Sequence, residues 1–191
     1  LRMIALTCEP DEERNVHTPS RCTAPVILAG SCSEATRTQS RYYESKGGAS
    51  LRIHPLRFVQ GIQTMEHIRA FLEENKEQAA LVYTSAPPDE VNHIKAEWRE
   101  SYPPLEHYNE ELLAGTAGYA LESGRKRIIA AGGETSGAVM QKLEMHTLHI
   151  GRSIAPGVPV MYPAEQEGME LILKSGNFGQ EDFFIRAARD I

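Results

Sequence analysis

The chain is short of the features that would tie it to a membrane, a nucleic acid or an oxidising compartment. Its three cysteines, Cys8, Cys22 and Cys32, are odd in number and fit neither a disulfide framework nor a zinc pattern. Reduced, structural thiols are the expectation. No apolar run approaches the roughly 18 residues that cross a bilayer. The opening stretch "LRMIALTCEPDEER" turns acidic where a signal peptide would stay apolar, so a soluble, cytoplasmic protein without a membrane partner is expected. The 20 Lys and Arg are scattered and outnumbered by 26 Asp and Glu, giving a net charge of −6. Without a basic stripe to meet a phosphate backbone, DNA and RNA are not expected partners.

What is present suits a packed domain: 191 residues, 41% of them hydrophobic, with 15 Gly and 11 Pro distributed along the chain. Residues 1–24 show no sustained period and read as a linker or the remnant of an upstream domain. Residues 25–191 read as one domain. In it "APVILAGSCSEATRTQSRYYESKG" runs from a short apolar strand through a tight loop into a helix that ends at Gly47-Gly48. "SLRIHPLRF" alternates like a half-buried strand, although Pro55 argues for an edge or a break. "QTMEHIRAFLEENKEQ" puts Met65, Ile68, Phe71 and Leu72 on one helical face, and "AALVYTSA" reads as a buried strand. A helical region from Glu90 to Ser123 must break at Tyr102-Pro103-Pro104. After it, "RKRIIAAGGETSGAVMQKLEM" repeats the strand, loop and helix pattern, "HTLHIGRSI" and "MELILKSGNFG" supply further strands, and "QEDFFIRAARDI" a last helix. The alternation predicts an α/β fold: a mainly parallel open sheet with helices on both faces, Rossmann-like and three-layered.

In such a sheet ligands sit outside the carboxyl ends of the strands. Three stretches fall there: Gly30-Ser31-Cys32-Ser33, Gly132 to Gly137, and Ser175-Gly176-Asn177-Phe178-Gly179. Small residues let backbone N–H groups approach an anion, and the first two stretches also open helices, whose free N–H groups and positive dipole end favour phosphate. Thr135 and Ser136 offer hydroxyl donors. Glu134 repels phosphate and better suits a ribose hydroxyl or a metal-bound water. An ordinary tight turn with an N-cap explains the same residues equally well. Neither G-x-x-x-x-G-K-[ST] nor G-x-G-x-x-G occurs, which leaves nicotinamide dinucleotides a weak alternative.

Lys174 could reach a phosphate as a flexible charge, although a strand-end lysine is more often solvated. His146 and His149, three apart on a strand, face opposite ways and suit a structural role, so no metal site is expected. Cys32, at a helix start, has no evident base partner. Glu110 and Glu111, like Glu165 and Glu167, read as solvated faces.

"GSCSEATRTQ", "AAGGETSGAV" followed by "IAPGVPVM", and "LILKSGNFGQEDFF" together, in this order, resemble the C-terminal nucleotide-binding domain of the four-carbon acid-sugar kinase family. The resemblance runs from about residue 25 to the end. It implies a two-domain enzyme that phosphorylates threonate, erythronate or 3-oxo-tetronate at the terminal hydroxyl. An N-terminal domain would hold the sugar acid, and the present one ATP with Mg²⁺. It further implies that Ser31, Gly132, Gly133, Glu134, Thr135 and Gly176 fall at ATP-contacting positions, to which the helix-start argument adds Ser33. The family's Asp-rich N-terminal half is not in these residues, so the chain alone is expected to be nearly inactive. The rival expectation is a non-catalytic interaction or regulatory domain with a degenerate nucleotide site. Homodimerisation stays open.

Overall fold

The computed structural model describes residues 24–189; the expectation for residues 1–24 therefore falls, apart from Ala24, outside the described residues. Seven strands form one sheet: β1 (Val26–Ala29), β2 (Ala49–Arg52), β3 (Ala80–Tyr83), β4 (Arg127–Ala131), β5 (Leu148–Ala155), β6 (Val158–Pro163) and β7 (Glu170–Lys174). Their order is β2-β3-β1-β4-β7-β6-β5. The first five in that order are parallel, whereas β6 runs antiparallel to β7 and to β5. The helices are α1 (Glu34–Ser45), α2 (Pro55–Val59), α3 (Met65–Glu74), α4 (Pro88–Glu97), α5 (Leu105–Glu122), α6 (Gly133–Lys142) and α7 (Phe183–Arg189).

The central strands are apolar on both faces because both are covered. In β1, Val26 and Leu28 pack into a core with Ile68, Leu72, Leu113, Ala117 and Val139 from α3, α5 and α6. Ile27 and Ala29 face the other way, into a core with Tyr43 of α1 and Phe183 and Phe184 of α7. Strand polypeptide between two helical layers has no solvated side, which is why "VILA" shows no polar alternation. The expected three-layer α/β fold is present.

Two local expectations change. The alternating "SLRIHPLRF" is a strand only through Arg52, at the sheet edge. Pro55 then opens α2 at its first turn, where the missing N–H costs nothing. "HTLHIGRSI" is half of a hairpin: Gly157, at φ +75°, turns the chain into β6, which pairs back on β5 and forward on β7. The sheet therefore ends in an antiparallel pair.

Candidate functional site

β1 pairs with β3 on one side and β4 on the other. From their carboxyl ends the chain leaves in opposite directions, α1 onto the face with α7 and α6 onto the face with α5. The strand order reverses between β1 and β4, the point at which open α/β sheets form a ligand crevice.

The loops are fitted to one another there. Gly30 and Ser31 both donate their backbone N–H to the Ala131 carbonyl, at 3.2 and 3.3 Å, and Gly132 N–H donates to the Lys174 carbonyl at 2.9 Å. Gly132 stands at φ +130°, and a Cβ on it would lie 3.0 Å from Thr135 Oγ1 and 3.2 Å from Ser31 N. A Cβ on Gly30 would lie 2.3 Å from Thr135 Oγ1, and one on Gly176 2.3 Å from Ser31 Oγ. The three glycine-and-serine stretches thus converge, and at Gly30, Gly132 and Gly176 the bareness has a packing cause: loop lies against loop.

Beside them is a cavity of about 300 Å³ lined by Ser31, Cys32, Gly132, Gly133, Glu134 and Thr135 on one side. Pro55, Val91, Ile94, Leu105 and Leu113 give it an apolar wall. Ser33 and Gly176 lie next to Ser31 and are not among the lining residues. The two helix starts differ. α1 is capped by its own Ser33, whose Oγ accepts from Thr36 N–H at 3.2 Å and donates to the Gly176 carbonyl at 2.7 Å. α6 is capped by Gly132, which has no side chain to offer. The first intrahelical bond runs from Ser136 N–H to the Gly132 carbonyl at 2.8 Å, so the N–H groups of Gly133, Glu134 and Thr135 precede the ladder. They add to the positive end of the helix dipole at the cavity wall.

Several lining residues escape sequence reasoning. Thr84 follows β3, and the neighbouring Ser85 Oγ donates to the Ser31 carbonyl at 2.7 Å, fixing the β1–α1 loop. "YTSA" stood at a strand's carboxyl end and carried hydroxyls, which was signal enough, but it lacks glycine. Asn109 and Glu110 of α5 also line the cavity, so Glu110 is a cavity-wall residue and not a wholly solvated one. Glu111, by contrast, is exposed and pairs with His107 at 3.2 Å. At the rim, Lys95 of α4 meets Glu106 of α5 at 2.7 Å; their hydrogen bond raises the lysine's pKa and lowers the glutamate's.

Lys174 is neither a solvated residue nor a free phosphate ligand. It is 1% exposed, and its Nζ donates to Thr36 Oγ1 (3.1 Å) and to the carbonyls of Ser175 (3.1 Å) and Gly176 (3.0 Å). Burial pushes its pKa down to about 8. His149 lies exposed on β5, and His146 precedes the strand. Among the described residues no three His, Cys, Asp or Glu side chains cluster as metal ligands, and no helix is long and apolar enough to cross a membrane.

A doubly covered, mainly parallel sheet with a crevice and an uncapped helix start at its switch point defines an α/β domain of the nucleotide-binding class. The family model described as the nucleotide-binding C-terminal domain matches residues 26–184, and the chain belongs to that family. It is similar to proteins named 3-oxo-tetronate kinase. The protein from Cupriavidus necator is 41% identical over 166 residues, covering 87% of this chain and 38% of the relative. That from Pseudomonas savastanoi pv. phaseolicola is 38% identical over 168 residues, again covering 87% and 38%. Among solved structures, Haemophilus influenzae protein HI1011 superposes with a TM-score of 0.74 at 34% identity, covering 86% of this chain and 39% of that one. The chain thus spans about two fifths of the length of the relatives it matches.

Proposed function

We propose that this chain is the ATP-holding part of a kinase that phosphorylates four-carbon sugar acids, of the kind the names of its relatives describe. The observation that carries the reading is the start of α6. Its cap is a glycine at φ +130°, and its leading N–H groups open on a cavity at the switch point. The phosphates lie against the amides of Gly133, Glu134 and Thr135, with the Thr135 hydroxyl and Ser31 beside them, where charge-assisted hydrogen bonds replace lost hydration. The apolar wall from Pro55 to Leu113 takes the flat base. Ser33 supports the loop, its hydroxyl tied to the Gly176 carbonyl, and Gly176 lies next to Ser31.

Mg²⁺ that arrives on nucleotide phosphates needs only one or two protein carboxylates, and Glu134 and Glu110 in the same cavity fit that requirement. When bound it neutralises charge on the transferring phosphoryl group. This chain's own contribution is to bind and orient the nucleotide. The acceptor hydroxyl must be brought in line with the γ-phosphate by a part of the enzyme outside the matched two fifths, so the chain by itself should bind ATP and transfer almost nothing.

The test is calorimetric titration of the folded chain with Mg-ATP and, separately, NADH. Saturable binding of Mg-ATP with no heat from NADH is expected. No binding at millimolar Mg-ATP would contradict the reading.

A further inference from the structure

The loop after β7 is held with an unusual concentration of donors. Gly176's carbonyl alone accepts from Ser33 Oγ at 2.7 Å, Thr36 Oγ1 at 2.9 Å and Lys174 Nζ at 3.0 Å. Ser175's carbonyl accepts from Lys174 Nζ, and Gln39 Nε2 donates to the carbonyls of Phe178, Gly179 and Gln180 at 2.9 to 3.0 Å. Ser33, Thr36 and Gln39 are spaced three apart, one polar stripe of α1, and Thr36 and Gln39 are fully buried. Helix α1 therefore reads this loop through its carbonyls.

The orientation has a consequence. The described chain contains no cis peptide, and across a trans peptide the C=O and the following N–H point in opposite directions. With the carbonyls of Ser175 and Gly176 drawn inward to Lys174, the N–H groups of Gly176 and Asn177 are turned outward, beside Ser31. The turn's own hydrogen bond, Phe178 N–H to the Ser175 carbonyl at 3.2 Å, uses neither. Successive outward amides of this kind make an anion-binding concavity.

We infer that Lys174 is a positioning residue of the nucleotide site: its ammonium touches no ligand but locks two carbonyls inward, so that the amides of Gly176 and Asn177 face the phosphate end of a nucleotide held at Ser31. This rests on the nucleotide reading above. An ammonium supplies three donors and finds three acceptors here; a neutral amine supplies two. Loss of the proton therefore frees one acceptor and loosens the lock. The groups facing Nζ are uncharged: Thr36 from α1, the Phe183 ring at 5.8 Å from α7, and the carbonyls of Ser175 and Gly176. The charged residues of those elements bond elsewhere, Arg37 to the Cys32 carbonyl and Arg186 to the Ile154 carbonyl, while Glu34 and Asp182 stand at the two helix starts.

The experiment measures Mg-ADP affinity of the chain from pH 7 to pH 9.5, for the wild type and for K174M, with folding monitored by circular dichroism. The wild type should lose about tenfold in affinity across that range, and K174M should bind about tenfold more weakly at pH 7 and show no pH dependence. Wild-type binding that is flat in pH, or equal to that of a folded K174M, overturns the inference and leaves the nucleotide reading standing. No wild-type binding at pH 7 overturns both. Should K174M fail to fold, T36V, which removes another donor to Gly176, takes its place, and the wild-type pH profile still decides.

Discussion

The sharpest contrast at the residue scale is between adjacent glycines. Gly132 is conformationally required, at φ +130° with Ser31 and Thr135 close by, so any side chain there strains the backbone and confounds binding with stability. Gly133 has nothing within 4 Å of where a Cβ would sit, and its φ suits any residue. Gly133→Leu should leave the melting temperature unchanged or slightly raised, because a helix position gains from losing glycine's freedom. It should also weaken Mg-ATP binding at least about tenfold by filling the cavity. Equal loss of stability and binding would place the effect in the fold. The glycines were legible as a loop signature, but their division of labour was not, since it depends on which neighbour lies where the Cβ would go. Ser33 shows the converse. Its helix-start position was readable, yet its hydroxyl is consumed by Thr36 and Gly176, a long-range partner that spacing does not reveal.

Elements are tied together by buried cations. Arg125, 3% exposed, precedes β4 and donates to the carbonyls of Leu72 and Asn75 at the end of α3 and to those of Ala24 and Pro25 before β1. It closes the α3 carboxyl end, where free carbonyls and the negative dipole end collect. Arg125→Met should therefore cost roughly 3 kcal/mol or more, since several buried carbonyls lose their donor at once. Urea denaturation measures it, and a change below about 1 kcal/mol would show these bonds to be replaceable by water. The element pattern was largely readable: apolar runs marked the central strands, and Tyr102-Pro103-Pro104 separated α4 from α5 as expected. Strand β6 was not. "VPVMYP" is six residues with two prolines; Pro159 and Pro163 fall outside its short pairing with β7 and stand in its register with β5. The burial of Thr36 and Gln39 was not readable either: nothing local says that they pack against a loop some 140 residues away.

For the whole molecule, buried titratable groups set the direction in which stability changes with pH. Burial depresses the Lys174 pKa to about 8, so between there and the ordinary 10.5 the unfolded chain carries a proton that the folded one has lost. Stability from this group is absent below about pH 8 and grows as the pH rises through that window, by at most about 1.4 kcal/mol per pH unit. Tyr43 and Tyr83 act oppositely. Both are raised to about 12, chiefly by burial, so above pH 10 the unfolded chain ionises first and stability falls. Urea midpoints should climb from pH 8 towards pH 10 and then decline, and K174M should abolish the climb. A climb that persists in K174M would assign it to another group. The architecture as a whole was legible because a parallel sheet covered on both faces writes itself as alternating apolar strands and helices. The cavity was only half legible, because its apolar wall comes from α2, α4 and α5, none of which carried a site signal, and Glu110 read as a solvated residue.

The proposed function turns on nucleotide phosphates meeting the start of α6, which has no side-chain cap, at the switch point between β1 and β4. A crystal structure of the chain with a non-hydrolysable ATP analogue and Mg²⁺ tests it most directly. Phosphate oxygens are expected within hydrogen-bonding distance of the N–H groups of Gly133, Glu134 and Thr135. An analogue bound with its phosphates elsewhere, for example in the groove between α5 and α6, would contradict it.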